Sequence, residues 1–432
     1  VTLPAGLQPS GGARWLPRVL HERQFRLFFT GNLTSNFGTQ MAPVAIAFAV
    51  LGQGYGATEV GLVLMAQAVP LVLLVMASGL LADRLGPRVV MIAADLLRLV
   101  AHGTLAVLLL TGHPGLLAFI IVEVFVGVGD AMFGPAITGL VPRVASGPRL
   151  QQANALLSAG LSTGAVAGPA VAGVVVATAG PGWAVAADAA TYLVSATCLA
   201  LLRLPRIASS TESIATQLVA GWREFTSHTW LWTIVLWASF FLMLSYAPYL
   251  VLGAVVAKNE YGGAGAWGTI LGVQGVGALC GALVMMRIRV ERPLLVASLG
   301  TFLYAAPIAA LALRAPLFVV AVAAFVAGLC LSGWDTLWAT TVQREIPTEM
   351  LARVSSYDWL GSVALLPVGF ALVGPLAHGL GLTGALWFAA GSVVVTTLAT
   401  LAVPSLRELR APPVAPLPAA PATPPTAVEA PD

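Results

Sequence analysis

The chain has 432 residues, of which 58% are apolar and only 9% charged, and its mean hydropathy is +0.90. A soluble domain carries about 25% charged residues, so a water-soluble fold has nowhere to place this much apolar surface, and no nucleic-acid partner is expected. The net charge of +3 is small, but its distribution along the chain is far from even.

Lipid solvates such a chain, and in lipid only helices and closed barrels satisfy the backbone. The apolar runs are about 20 residues long, not alternating segments of about 10, so they read as helices. Residues 1–26 form an arm whose first part is Pro- and Gly-rich and carries no signal-peptide pattern. Six spans follow at 27–51, 60–82, 88–111, 115–139, 153–178 and 183–202. A linker, 203–228, holds a short amphipathic helix: Ser209 and Glu212 have capping-box spacing, and Ile214, Leu218, Trp222 and Phe225 fall on one face. This helix is expected to lie at the membrane interface. Six more spans occupy 229–256, 266–286, 294–313, 316–341, 354–377 and 382–403. Residues 404–432 form a Pro/Ala-rich tail.

Eighteen of the 21 basic residues fall on one side of this topology: before span 1, after span 12, or in alternate connections such as Arg84 and Arg88, Arg143 and Arg149, and Arg287 to Arg292. Lys258 and Arg314 lie opposite, and Arg98 lies inside span 3. The positive-inside rule makes the first side cytoplasmic, with both termini there, in a multi-pass protein of a bacterial inner membrane. Cys198, Cys280 and Cys330 sit within apolar spans without metal-type spacing and read as small core residues.

The two halves repeat at an offset of 201 residues: Gly127 with Gly328, Arg143 with Arg344, Gly160 with Gly361, Gly168 with Gly369, Gly173 with Gly374. The expected fold is therefore all-α and integral to the membrane, with twelve transmembrane helices in two pseudo-symmetric six-helix bundles, 27–202 and 229–403. Parallel six-helix repeats place a substrate cavity between the halves near the midplane.

A charge at the bilayer centre costs at least about 2.5–3.5 kcal/mol on insertion scales, and five acidic residues lie well inside spans: Asp95, Glu123, Asp130, Asp188 and Asp335. Asp95 and Arg98, three apart, are expected to form an intramembrane ion pair. Asp188 is expected near the outer end of span 6 as a helix-end or interfacial residue. Asp335 and the shallower Asp358 are placed within reach of Arg344 and Arg353. Glu123 and Asp130 share one face of span 4 with Gly127 and no base on that span, which makes them the candidates for proton coupling, against a structural hydrogen-bonding role. Candidate cavity residues are the amide stripe Asn32, Asn36 and Gln40, with Trp237 and Phe241 on span 7 and Trp334, Asp335 and Trp338 on span 10.

Two motifs carry a family resemblance. Gly79-Leu-Leu-Ala-Asp83-Arg84-Leu-Gly86-Pro87-Arg88 resembles the signature loop between spans 2 and 3 of the major facilitator superfamily. That resemblance implies a cytoplasmic latch, in which Gly79 permits close helix approach, Gly86 turns the chain and Asp83 pairs near a helix end. The second-half copy, Cys280 to Arg292, lacks the aspartate. Gly164-Ala-Val-Ala-Gly168-Pro169-Ala-Val-Ala-Gly173 resembles the antiporter motif of drug/proton antiporters, with Ala172 in place of a glycine. Gly160, Gly164 and Gly168 make a flat face, expected against span 8 with its Gly268, Gly272, Gly277 and Gly281. The segments around Asp95 to Arg98, Gly129 to Ala136, Pro142 to Asn154 and Gln343 to Ser355 resemble the macrolide and siderophore (enterobactin-like) exporter branch. The resemblance implies a monomeric secondary transporter that exports a drug-, antibiotic- or siderophore-like molecule in exchange for protons. An uptake carrier or uniporter on the same fold stays open as an alternative, as does a non-transporting sensor. No ATP-binding loop, metal motif, cofactor motif or catalytic motif is present in the sequence, so an enzyme is not expected.

Overall fold

The computed structural model describes residues 18–145, 149–204, 214–288 and 290–410. The first six long helices are α1 (Arg23–Gly52), α2 (Ala57–Leu85), α3 (Pro87–Thr111), α4 (Leu116–Val144), α5 (Leu150–Ala179) and α6 (Pro181–Ala200). The short α7 (Ile214–Ser227) leads to α8 (Thr229–Glu260), α9 (Ala264–Met285), α10 (Pro293–Ala312), α11 (Leu317–Glu345), α12 (Thr348–Val363) and α13 (Leu366–Leu401). Every expected span falls on helix. Ser209 and Glu212 lie outside the described residues.

Turn chemistry sets several boundaries. Gly86 and Gly180 take φ of +88° and +94°, and each is followed by a proline at the first helical position. Glycine relieves the left-handed strain, and proline there gives up an N–H that has no helical partner anyway. Inside α13, Gly381 takes φ 70° and ψ 166°, and the chain folds back. Gly369 lies against Met243, while Ser392 donates to the Leu244 carbonyl and meets Ser245 Oγ at 2.8 Å. A straight helix would hold residues 369 and 392 about 34 Å apart.

Among the described residues, ten stretches are long and apolar enough to cross a membrane; the last, Arg353–Leu401, is 49 residues long and contains the Gly381 reversal. The protein is an all-α integral membrane protein.

The repeat glycines meet equivalent partners. A Cβ on Gly127 would lie 2.1 Å from the Gln67 carbonyl oxygen, and one on Gly328 1.9 Å from that of Gln274. Gly173 of α5 packs on α9 at Gly268, and Gly374 of α13 packs on α2 at Thr58. α5 thus docks on the later helices as α13 docks on the earlier ones.

One continuous apolar core joins both sets of helices at the end where α1 finishes and α2 begins, from Val44 to Val63 and from Tyr249 to Ile270. At the opposite end the core divides in two. Phe25, Met91 and Leu140 belong to one part, and Leu231, Val342 and Val354 to the other. Among the described residues, two hydrogen bonds join the two sets, both at the joined end: Lys258 Nζ donates to the Leu51 carbonyl at 2.5 Å, and Thr58 Oγ1 meets His378 Nε2 at 3.2 Å. At the parted end, Asn154, Ser158, Ser162, Asp335, Thr336 and Gln343 stand exposed. The helices are therefore closed at one end and open at the other. α7 packs on α12, with Trp222 and Phe225 against Tyr357.

Candidate functional site

The ionisable residues inside the spans of α3, α4 and α6 gather into two adjoining clusters. Arg98 Nη2 donates to Asp95 Oδ1 at 2.5 Å, as the three-residue spacing predicts, and Nη1 donates to Asp130 Oδ1 at 2.9 Å. Gln67 Nε2 donates to the other Asp130 oxygen at 2.9 Å. The guanidinium lies 4.5 Å from the Phe133 ring and 4.3 Å from the Tyr192 ring, within cation–π range of both. A Cβ on Gly129 would sit 2.5 Å from Arg98 Cγ, so glycine makes room for this side chain. Among the described residues, Asp95 Oδ2 and Arg98 Nε are buried without a hydrogen bond of normal geometry, and the Ser195 hydroxyl lies beside the Asp95 carboxylate.

One turn further along α3, His102 bridges two carboxylates. Its Nδ1 lies 2.7 Å from Asp188 Oδ2 and its Nε2 3.2 Å from Glu123 Oε1, and all three side chains are 1% exposed. A carboxylate only accepts, and a neutral imidazole donates from one nitrogen only. Two hydrogen bonds therefore require two protons shared among the three groups. Tyr192 packs beside His102 and shares a hydrogen bond with Thr39 of α1.

One expectation is overturned here and two others gain detail. Asp188 is fully buried and bound to His102, not interfacial, because α3 offers a base at its level. Asp130 does have a cation, supplied by Arg98 across the α3–α4 seam. Glu123 and Asp130 face α3 together but join different clusters. His102, which is not among the expected site residues, is central. The signal lay in the imbalance of five acids and one arginine within the spans, which leaves a histidine as the remaining base.

In the later helices, a line of aromatic rings runs Trp230, Trp338, Trp334, Trp237, Phe241, Tyr304, Tyr249, Trp267, with successive centroids 5.0–5.8 Å apart. It passes the π-helical turn Leu242–Tyr246 of α8, a distortion common at functional sites. Among the described residues, Trp237 Nε1 is buried without a partner, Tyr249 Oη donates to Gln274 Oε1 at 3.1 Å, and the buried Tyr304 Oη lies near the same Gln274. The expected carboxylate–arginine contacts are absent among the described residues. Asp358 accepts from Trp338 Nε1 at 3.0 Å, Asp335 is exposed with no partner, and Arg344 pairs with its neighbour Glu345.

The amide stripe of α1 and the glycine stripe of α5 face each other, correcting the expectation that Gly160, Gly164 and Gly168 pack on span 8. Asn36 Nδ2 lies 3.4 Å from the Gly160 carbonyl, Asn36 and Gln40 cover Gly164, Gln40 covers Gly168, and Asn32 is buried. Span 8, here α9, meets α5 instead through Val166, Pro169, Ala170 and Gly173, while its Gly277 and Gly281 face α11. In the loop motif, Gly86 has the expected positive φ, but a Cβ on Gly79 would meet nothing within 4 Å, so no close approach depends on it. Arg84 is exposed. Arg88 donates to the carbonyls of Leu199 and Ala200 at 2.8 and 2.6 Å, capping α6. The Asp83 side chain lies outside the described residues. Among those described, no three His, Cys, Asp or Glu side chains are arranged to hold a metal ion.

Residues 14–426 match the family model of transmembrane secretion effectors of the major facilitator superfamily. The chain is 28% identical over 365 residues to the multidrug efflux pump Tap of Mycolicibacterium fortuitum, covering 81% of this chain and 88% of that one. It is 26% identical over 362 residues to the enterobactin exporter EntS of Shigella boydii, covering 82% and 85%. Among solved structures, the nucleoside transporter NupG (D323A mutant) superposes with a TM-score of 0.71 at 12% identity, covering 88% of this chain and 99% of that one. A bacterial homologue of the iron transporter ferroportin, in an inward-facing state, gives 0.66 at 17%, covering 88% and 98%. At such identities the structural likeness shows the fold alone. A lipid-embedded helical fold with a buried charge network, matched along nearly its whole length, places the chain in the transmembrane secretion effector family: it is a membrane transporter of small molecules and not an enzyme.

Proposed function

We propose that this transporter exports a drug-, antibiotic- or siderophore-like organic molecule by alternating access, in exchange for protons, and that it belongs with the macrolide and siderophore exporters. The observation that carries the alternating-access reading is the single core at one end and the divided core at the other. In this reading twelve spans form two six-helix bundles, 27–202 and 229–403, joined by the linker 203–228 and flanked by the arm 1–26 and the tail 404–432. The parted end carries the arginine-rich connections, which the positive-inside rule assigns to the cytoplasm together with both termini. The conformation is then inward-open, and the protein acts as a monomer.

Export is favoured over uptake by the relatives' names and by the antiporter-like Gly164, Gly168, Pro169 and Gly173. The substrate lies against the aromatic line at Trp237, Phe241, Trp334 and Trp338, with Asp335 at its open side and the α1 amides Asn32, Asn36 and Gln40 opposite. Asp130, 15% exposed, receives the proton from the cavity side, and Glu123 holds one with His102 behind it. The loop from Gly79 through Asp83, Arg84 and Gly86 to Arg88 closes the cytoplasmic end in the opposite state.

The test is growth of a pump-deficient host expressing the protein against a panel of antibiotics and siderophores, with and without a protonophore. Protection that the protonophore abolishes is expected. Asp130→Asn and Glu123→Gln should each lose it while inserting normally. Protection that survives the protonophore, or persists in both variants, removes proton exchange through these residues.

A further inference from the structure

Where α1, α3 and α6 end at the arginine-rich face, a cavity of about 610 Å³ is lined by Arg23, Arg88, Arg203 and the backbone from Ala200 to Leu204. No acidic residue lines it. Its walls are held in place. Arg88 ties the start of α3 to the last carbonyls of α6, and the Arg203 backbone N–H donates to Gln24 Oε1 at 3.1 Å, tying the exit of α6 to the start of α1. Leu202 between them is 1% exposed and anchors the segment in the core. The guanidinium groups of Arg23 and Arg203 have no ion pair or hydrogen bond among the described residues, and both are exposed. Glu22 beside them is taken by Arg149.

Three guanidinium groups around one hollow repel one another; the last α6 carbonyls offset Arg88, and nothing among the described lining residues offsets Arg23 and Arg203. Guanidinium forks match phosphate oxygens in geometry and charge. Basic pockets between membrane helices on the cytoplasmic side are suited to anionic lipid headgroups. Leu201, on the rim, is half-exposed and offers apolar contact for an acyl chain. We propose that this hollow is a binding site for a phosphate-bearing anion, supplied by an anionic phospholipid headgroup, with Arg23 and Arg203 as its two free ligands and Arg88 as its fixed wall.

The full-length protein, in mixed micelles of phosphatidylglycerol and phosphatidylcholine, is examined by native mass spectrometry for retained lipid. Each surface arginine is worth about fivefold in affinity for anionic lipid, so Arg23→Gln/Arg203→Gln should lower the preference for phosphatidylglycerol about 25-fold. Arg287→Gln/Arg292→Gln, which removes the same charge elsewhere, should leave it nearly unchanged. Arg23→Lys/Arg203→Lys should restore part of it, which separates lost charge from lost folding. Retention that resists excess inorganic phosphate identifies lipid as the source. Retention abolished by phosphate in the wild type but not in the glutamine variant keeps the site and makes free phosphate its source. Equal preference in wild type and Arg23→Gln/Arg203→Gln, or equal loss in both glutamine double variants, overturns the proposal.

Discussion

Replacing Arg98 by methionine tests how the buried network is held. Arg98 is 3% exposed and is the cation for both Asp95 and Asp130. Methionine keeps apolar contact with Phe133 and Tyr192, so the packing loss is small. The electrostatic loss falls unevenly. Asp130 keeps its hydrogen bond from Gln67, whereas Asp95 is 0% exposed and keeps no cation among the described residues. Removing one member of a buried pair costs about 3–5 kcal/mol, a change of about 150- to 5,000-fold in the unfolding equilibrium. Most of this cost should sit on Asp95. Arg98→Met should therefore lower stability by about 3–5 kcal/mol, and Asp95→Leu/Arg98→Met should recover more than half of that loss. Unfolding by sodium dodecyl sulfate, followed by tryptophan fluorescence in mixed micelles, measures both. A loss below about 1 kcal/mol for Arg98→Met, or a double variant no better than the single, refutes the reasoning.

Gly268→Leu should part the joined ends, because a Cβ there would lie 2.6 Å from the Pro169 carbonyl and 2.8 Å from Gly173 Cα. Spin labels at Gly52 and Asn259 should report a longer distance, and an unchanged distribution with normal folding would count against this packing. Lys258→Met removes the part-buried hydrogen bond from a charged donor to the Leu51 carbonyl, worth about 1.5–3 kcal/mol, and the same labels should show a smaller shift in the same direction. A water-soluble carbodiimide should modify Asp130 much faster than Glu123, given side-chain exposures of 15% and 1%. Equal rates, read by peptide mass spectrometry, would mean that the His102 cluster is wet.

The helices were legible because lipid leaves little choice: a run of about 20 apolar residues must be helical. The Asp95–Arg98 pair was legible because both partners lie on one helix. The partner of the Gly160–Gly168 stripe was not, since a stripe shows that a face is flat but not which neighbour lies on it; α1, with Asn36 and Gln40, takes that place. Gly79 fits its motif, yet no atom stands near its missing side chain, so the motif alone misread its packing. His102 joins α3 to α4 and α6 across 21 and 86 residues of sequence, a distance no local pattern encodes. Charge balance within the spans does point to it.

Glu123 and Asp130 lie two turns apart on one helix face, and that small separation gives them different access to water. Asp130 sits at the edge of the network nearest the parted end, with Gln67 and Arg98 holding its two oxygens. Glu123 lies deeper toward the joined end, bound to His102 and 1% exposed. In the proposed exchange the two carboxyls therefore cannot act alike. A proton arriving from the open end meets Asp130 first, and taking it up weakens that carboxylate's hold on Arg98. The freed guanidinium then has Asp95 as its remaining carboxylate. A proton on the His102 cluster, by contrast, has no water contact from the open end while α3, α4 and α6 stay packed around it. In the proposed exchange its release would require the joined end to part, where Lys258, Thr58 and the Gly173–Gly268 contact link the two sets of helices. In this arrangement the resistance to opening and the route for the deeper proton depend on the same helix contacts.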